Sequence, residues 1–268
     1  MLDGDRAGGW HVMAMHGPGD SAGDNLAAAL ERLSDALGVM PAKVRRDARW
    51  RASALRWNLI GAPDVAFDVA LSAAEQLANA GSQPWPMDAS KMGAHLTQEF
   101  LAMEDAGQAS RFVLESGVRY LHSSGDLMAQ VVRTSLLPCS SEGCTLAAML
   151  NPERRCTCLI GEQEYVRLTA ALAKYRNSAS FRYVTAASNR LKHRNLIPSR
   201  IAARRDPDSG DVMVGQLLSG FTHNAKRVRG ANLTELSRKT DRLRLSACCV
   251  VDEVSQILTD ATTPLHRR

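Results

Sequence analysis

No run of about 18 consecutive apolar residues occurs in this 268-residue chain, which argues against a membrane-spanning helix. Aromatic residues are scarce, at 5%. With Ala and Leu abundant, that composition leans toward helices and away from a strand-rich sandwich. The opening Met1-Leu2-Asp3-Gly4-Asp5 has neither a basic start nor an apolar stretch, so it does not read as a secretory signal, and a cytoplasmic location is expected. Paired CxxC knuckles are missing too. Cys139-x4-Cys144 and Cys156-x-Cys158 put four thiols close together, and Cys248-Cys249 follows far downstream, but neither spacing is that of a usual zinc site. Arg154 and Arg155 lower nearby thiol pKa values without requiring a metal. Reduced thiols are the simpler reading of Cys139, Cys144, Cys156 and Cys158, zinc the alternative; no metal and no cofactor are expected. The most telling absence is of acid. From Tyr165 to Arg205 there are ten Lys and Arg and no Asp or Glu, whereas the remainder holds 23 basic and 28 acidic residues. The whole excess charge of +5 is therefore owed to one segment, a positive field of the kind that meets phosphate.

What is present organises into helices. Residues 1–20 are rich in Gly and read as a loose arm. Ser21 to Leu37 places Leu26, Leu30, Leu33 and Leu37 at helical spacing, with Gly38 as the stop. A basic amphipathic piece follows, in which Arg45, Arg46, Arg49, Arg51 and Arg56 surround Trp50, Leu55 and Trp57. It reads either as a phosphate-contacting patch or as a solvated helix whose tryptophans dock on the core. Pro63-Asp64 opens a helix to about Asn79, and Pro84-Trp85-Pro86 marks a loop. Asp88 to Leu137 reads as two helices broken near Gly107. Gly161 to Arg176 and Ser178 to Ile197 are helical. Ile201–Arg205 and Val212–Val214 flank the turn-forming Asp206-Pro207-Asp208-Ser209-Gly210, a β-hairpin signature. A last helix spans about Leu233 to Leu258. The expected fold is thus all-α with a β-hairpin inserted near residues 200–220, divided as an arm (1–20), an N-terminal helical region (21–100) and a C-terminal helical domain (101–268).

Two helices carry polar groups in rows. On residues 181–195, at about 100° per residue, Phe181, Val184, Ser188, Leu191 and Asn195 form the apolar side, while Arg182, Asn189, Lys192 and His193 fall on another. Arg190 and Arg194 make a further basic pair. Like charges at Lys192 and Arg194 disfavour a protonated His193, which suits a general base near neutral pH. The alternative is that Asn189 and His193 bridge helices. On the earlier helix, Leu114, Val118, Leu121, Gly125, Met128 and Val132 line the core. Arg119, His122, Ser123, Asp126, Gln130 and Arg133 form a second stripe, with His122 and Asp126 spaced so that the carboxylate can hold the imidazole. That stripe is either an interior hydrogen-bond network or the second wall of a site facing His193. Gly125 leaves room for another helix.

The run from Val118 to Gln130 (VRYLHSSGDLMAQ) resembles an H-S-x-x-D-x-x-x-Q helix of a bacterial group within the HEPN superfamily. Phe181–Val184 followed by Asn189–Ile197 (NRLKHRNLI) resembles that group's N-x-x-K-H-R helix. The likeness covers about residues 100 to 260. It implies a helical bundle that pairs as a homodimer and a metal-independent ribonuclease of defence or toxin–antitoxin type, with His193 as acid/base and Asn189 as its positioning partner. The family pattern has arginine just before the Asn, where this chain has Ser188. Arg182, Arg190, Lys192 or Arg194 would then hold phosphate, Lys as a point charge and Arg as a planar fork. RNA or nucleotide binding without turnover is therefore expected at least as much as cleavage. The alternative is a non-enzymatic dimeric interaction protein that binds an acidic or cognate regulatory partner through the same basic surface.

Overall fold

The computed structural model describes residues 22–80, 89–136, 144–151, 160–193, 197, 199–205 and 212–262. Within these the chain is mostly helical. Helix α1 (Ala22–Ala36) ends in a 3-10 turn, Leu37–Val39. Its buried Leu26, Leu30 and Leu33 recur at one-turn intervals, as the spacing requires. Each fully buried Leu contributes roughly 1.5–3 kcal/mol against exposure.

Helix α2 (Ala42–Arg56), a π-helical turn (Trp57–Gly61) and helix α3 (Ala62–Ala80) follow without interruption. Pro63 explains the irregular turn. Lacking an N–H, it cannot donate to the carbonyl of Leu59 four residues back. Arg244, which is only 7% exposed, takes that role: its Nε donates to the Leu59 carbonyl at 2.8 Å. The rest of the guanidinium pairs with Asp64 and, at 3.1 Å, with Asp241. A single buried cation thus repairs the defect that the proline creates.

Helix α4 (Ala89–Leu136) is one continuous element of 48 residues, not two helices broken near Gly107. A glycine inside a helix costs about 1 kcal/mol relative to Ala, too little to end it without a proline or a cap. Residue 100, the expected border between two helical regions, lies inside α4. Buried residues from α1 through the last helix form a single core cluster. The loop expected at Pro84–Pro86 and the arm at 1–20 lie outside the described residues.

Helices α5 (Leu146–Met149), α6 (Glu162–Asn177) and α7 (Ala179–His193) come next. As expected, Ser178 caps α7, its Oγ accepting from Phe181 N at 3.1 Å. The hairpin is present as β1 (Ser199–Arg205) and β2 (Val212–Leu218), antiparallel, with Arg205 opposite Val212. It is larger than the sequence indicated. Strands β3 (Phe221–His223) and β4 (Lys226–Val228) make a second hairpin, and β5 (Ala231–Asn232) adds to β2. The β3–β4 turn places Asn224 and Ala225 at φ 47° and 60°. Both central residues of such a two-residue turn need positive φ, and Asn-Ala signals it less clearly than Asn-Gly. Helix α8 (Leu233–Thr262) opens on a reciprocal cap: Asn232 Oδ1 accepts from Glu235 N at 2.8 Å, and Glu235 Oε2 accepts from Asn232 N at 3.3 Å.

Candidate polyanion-binding surface

Helix α7 turns its apolar side onto α4. Phe181, Val184, Ser188 and Leu191 are all buried, as the stripe of the sequence requires. Phe181 is the key of this contact. It stacks on His122 at 6.1 Å between centroids and tilts against Tyr175 at 5.0 Å. Gly125 admits it: a Cβ there would stand 2.6 Å from Phe181 Cζ. Beneath, Tyr175 shares a 2.7 Å hydrogen bond with Ser124, and burial raises the pKa of its phenol.

The polar stripe of α4 is largely spent on neighbouring elements. Asp126 Oδ1 accepts from Leu146 N at 2.9 Å, fixing the start of α5, and no hydrogen bond joins it to His122 among the described residues. The carboxylate expected to hold the imidazole is therefore directed elsewhere. Gln130 Oε1 accepts from Arg51 of α2. Ser123 bonds back to the carbonyl of Arg119 at 3.0 Å. His122, half-buried, has its pKa lowered, first by desolvation and then by the positive charge of Lys192, with Asp126 opposing weakly. Lys192 of α7 and His122 of α4 thus do share one electrostatic neighbourhood.

On α7 itself, Arg182 and Lys192 are exposed, while Asn189 and Arg190 are half-buried. Arg190 Nε is buried with no acceptor among the described residues. Ser188, at the position where the resembled pattern has arginine, is 0% exposed and its hydroxyl has no partner among the described residues. Position 188 faces the core, so the missing guanidinium is not replaced there by any polar group reaching solvent. The backbone of His193 closes α7, but its side chain, like Arg194, lies outside the described residues. So do Cys139, Cys156 and Cys158; Cys144 is buried. Among the described residues no cluster of His, Cys, Asp or Glu could hold a metal.

Four cations of the acid-free segment stand out. Lys174 and Arg176 near the end of α6, and Arg182 and Lys192 on α7, are exposed and meet no carboxylate among the described residues. Arg167 is different, since it pairs with Glu253 at 3.2 Å. None of these four cations lines either of two cavities. One, of 230 Å³, is lined by Met149, Tyr165 and Thr169; the other, of 480 Å³, lies between α1 and α8 around Arg32 and Asp252. Helices α6 and α7 therefore each carry exposed positive charge with no carboxylate beside it among the described residues, which suits them to an anion. No described helix is long and apolar enough to cross a membrane.

The sequence reading missed two features. Arg244 sits in an ordinary amphipathic pattern, and only the proline 181 positions earlier in the chain explains its burial. The tryptophans of α2 and of the π-helical turn after it are the second: neither docks on the core, Trp50 being 68% and Trp57 51% exposed. Ala48, Ala52 and Leu55 make the buried stripe instead. Compared with protein-family models, with curated proteins and with solved structures, the chain matches none.

Proposed function

We propose that this chain is a HEPN-like, RNA- or nucleotide-binding protein of the cytoplasm, acting as a homodimer, whose phosphate-contacting surface is built by α6 and α7. One observation supports this most: Lys174, Arg176, Arg182 and Lys192 are exposed and unneutralised among the described residues, within a segment holding no acid. Each such cation can release a counterion from a bound strand, which is the dominant source of affinity for nucleic acid. If the surface turns RNA over, His193 acts as acid/base on a ribose 2′-hydroxyl, Asn189 positions it, and Arg182, Lys192 or Arg194 steadies phosphate charge. The buried serine at 188 favours binding over cleavage, because the motif position that should supply a planar phosphate clamp faces the core.

The test combines affinity and turnover. RNA binding falls steeply with salt, and K174E/R182E/K192E weakens it by roughly a hundredfold and flattens the slope of log K against log salt by about two. Cleavage products that are identical for wild type and His193→Ala remove His193 from catalysis. A second reading, a non-enzymatic interaction protein that docks an acidic or cognate regulatory partner on this face, draws on the interhelical use of Asp126 and Gln130. Lack of RNA affinity even at low salt favours it.

A further inference from the structure

Helix α2 carries six basic residues and one acid, Asp47, and its outward face is unusual. At about 100° per residue, Lys43, Arg46, Arg49, Trp50, Ser53, Arg56 and Trp57 fall within an arc of about 140°. All seven are exposed, and the buried positions Ala48, Ala52 and Leu55 lie opposite. The face thus carries two indoles, each beside an arginine (Arg49 with Trp50, Arg56 with Trp57), with Ser53 between them. Solvent-exposed Trp is a poor choice for a merely solvated helix, since each indole leaves a large apolar area in water.

We propose that this face is a stacking platform for single-stranded nucleic acid, in which Trp50 and Trp57 each take one base while Lys43, Arg46 and Arg56 take phosphates. The two rings are seven residues apart, about 10 Å along the axis at 1.5 Å per residue, so each has room for its own base. The ring of Trp57 is held in place. It lies against Gly61 in the π-helical turn, where a Cβ would meet Cε3 and stand 2.6 Å from Cζ3. That ring is therefore braced from behind with much of its surface open, the arrangement a stacking partner needs. A π-turn at this point fits the tendency of such turns to mark functional sites. Arg49 is partly committed, donating to the Ser34 carbonyl at 3.0 Å, whereas Arg46 has only a 3.9 Å approach to Asp47. Lys43 and Arg56 meet no carboxylate among the described residues. The asparagine after Trp57 donates to the Tyr120 carbonyl at 3.2 Å, tying the turn that carries Trp57 to α4.

A lipid surface fits this face less well. An interfacial helix keeps its Trp, Phe and Leu on one face and its Lys and Arg on the other, whereas here Trp50 and Trp57 share one exposed face with the cations and Leu55 is buried. A duplex fits poorly too, because its bases are already stacked. The platform is independent of the α6–α7 surface.

Its test is a fluorescence titration of the full chain at low salt with short mixed-sequence RNA, single-stranded DNA, duplex RNA and anionic phospholipid vesicles. Both single strands quench tryptophan emission with similar affinity, because a π face reads neither sugar nor sequence; the duplex binds more weakly and vesicles do not bind. Trp50→Ala weakens strand binding about tenfold, Trp50→Phe restores most of it, and Arg46→Gln reduces the salt slope by about 0.7. Trp50 is exposed and bonded to nothing among the described residues, so its variants retain the wild-type melting temperature even if Trp57→Ala does not. In K174E/R182E/K192E the quenching persists and remains sensitive to Trp50. Should that triple variant leave affinity unchanged while Trp50→Ala lowers it, the α6–α7 reading fails and the platform stands. Equal affinity of wild type and Trp50→Ala for the strands overturns the platform, as does vesicle binding stronger than strand binding.

Discussion

Helices α2 and α7 are both short, basic and amphipathic, yet they use their cations differently. On α2, Arg45 donates to the Gly38 carbonyl at 3.0 Å and Arg49 to that of Ser34 at 3.0 Å, so both satisfy the C-terminal end of α1; Arg51 reaches Gln130 of α4. On α7, Arg182 and Lys192 point to solvent with no such partner among the described residues. On α2 three of the six cations are thus spent on structure while Lys43, Arg46 and Arg56 stay outside it, whereas on α7 both exposed cations are free among the described residues. The difference comes from what lies within reach: α2 passes the exposed carbonyls where α1 ends, and α7 does not.

The largest effect on this comparison is expected from Arg244, which holds the turn that aims α2. Arg244→Ala leaves the Leu59 carbonyl and Asp64 without their donor and lowers stability by about 3 kcal/mol, read from urea denaturation. A variant that melts like wild type would show that water replaces the guanidinium at the proline defect.

A paired substitution then sharpens the contrast. Arg49→Ala costs about 0.5–1 kcal/mol of stability by uncapping α1. Arg182→Ala leaves melting unchanged and weakens RNA binding several-fold, with a salt slope lower by about 0.7. Equal effects of the two variants on both readouts would erase the distinction between structural and free cations.

The smallest effect is on pH dependence. His122 is harder to protonate in the folded chain than in the unfolded one, because burial and Lys192 both oppose its charge. Its contribution to stability is complete above about pH 6.5 and declines as the pH falls toward the lowered folded-state pKa. His122→Gln removes that component, so the wild-type and variant melting curves converge on the alkaline side and part on the acid side. A constant difference across the range would show that the imidazole does not titrate against Lys192.

Periodicity made much of the frame legible. Leu26, Leu30 and Leu33, the α4 core stripe, the α7 core stripe and the Ser178 cap all stand where a 3.6-residue repeat and local capping chemistry put them, and the composition of residues 206–210 announced the pairing of β1 with β2. Local patterns faltered where weak signals competed. Gly107 suggested a break that a long helix tolerates, and the Asn224-Ala225 turn concealed a second hairpin behind a poor turn signature.

By itself, then, the sequence determined the helices, the hairpin and the acid-free segment that carries the excess charge, because these follow from side-chain order within a few turns of chain. Only the tertiary structure decided which polar groups are spent. Gln130 belongs to Arg51, Asp126 to the start of α5, Arg244 to the defect at Pro63, and Ser188 to the core, while Trp50 and Trp57 stay outside. The physical reason is that a hydrogen bond or a buried surface needs a partner from a distant part of the chain, and residue order along one helix specifies a face but not what will cover it.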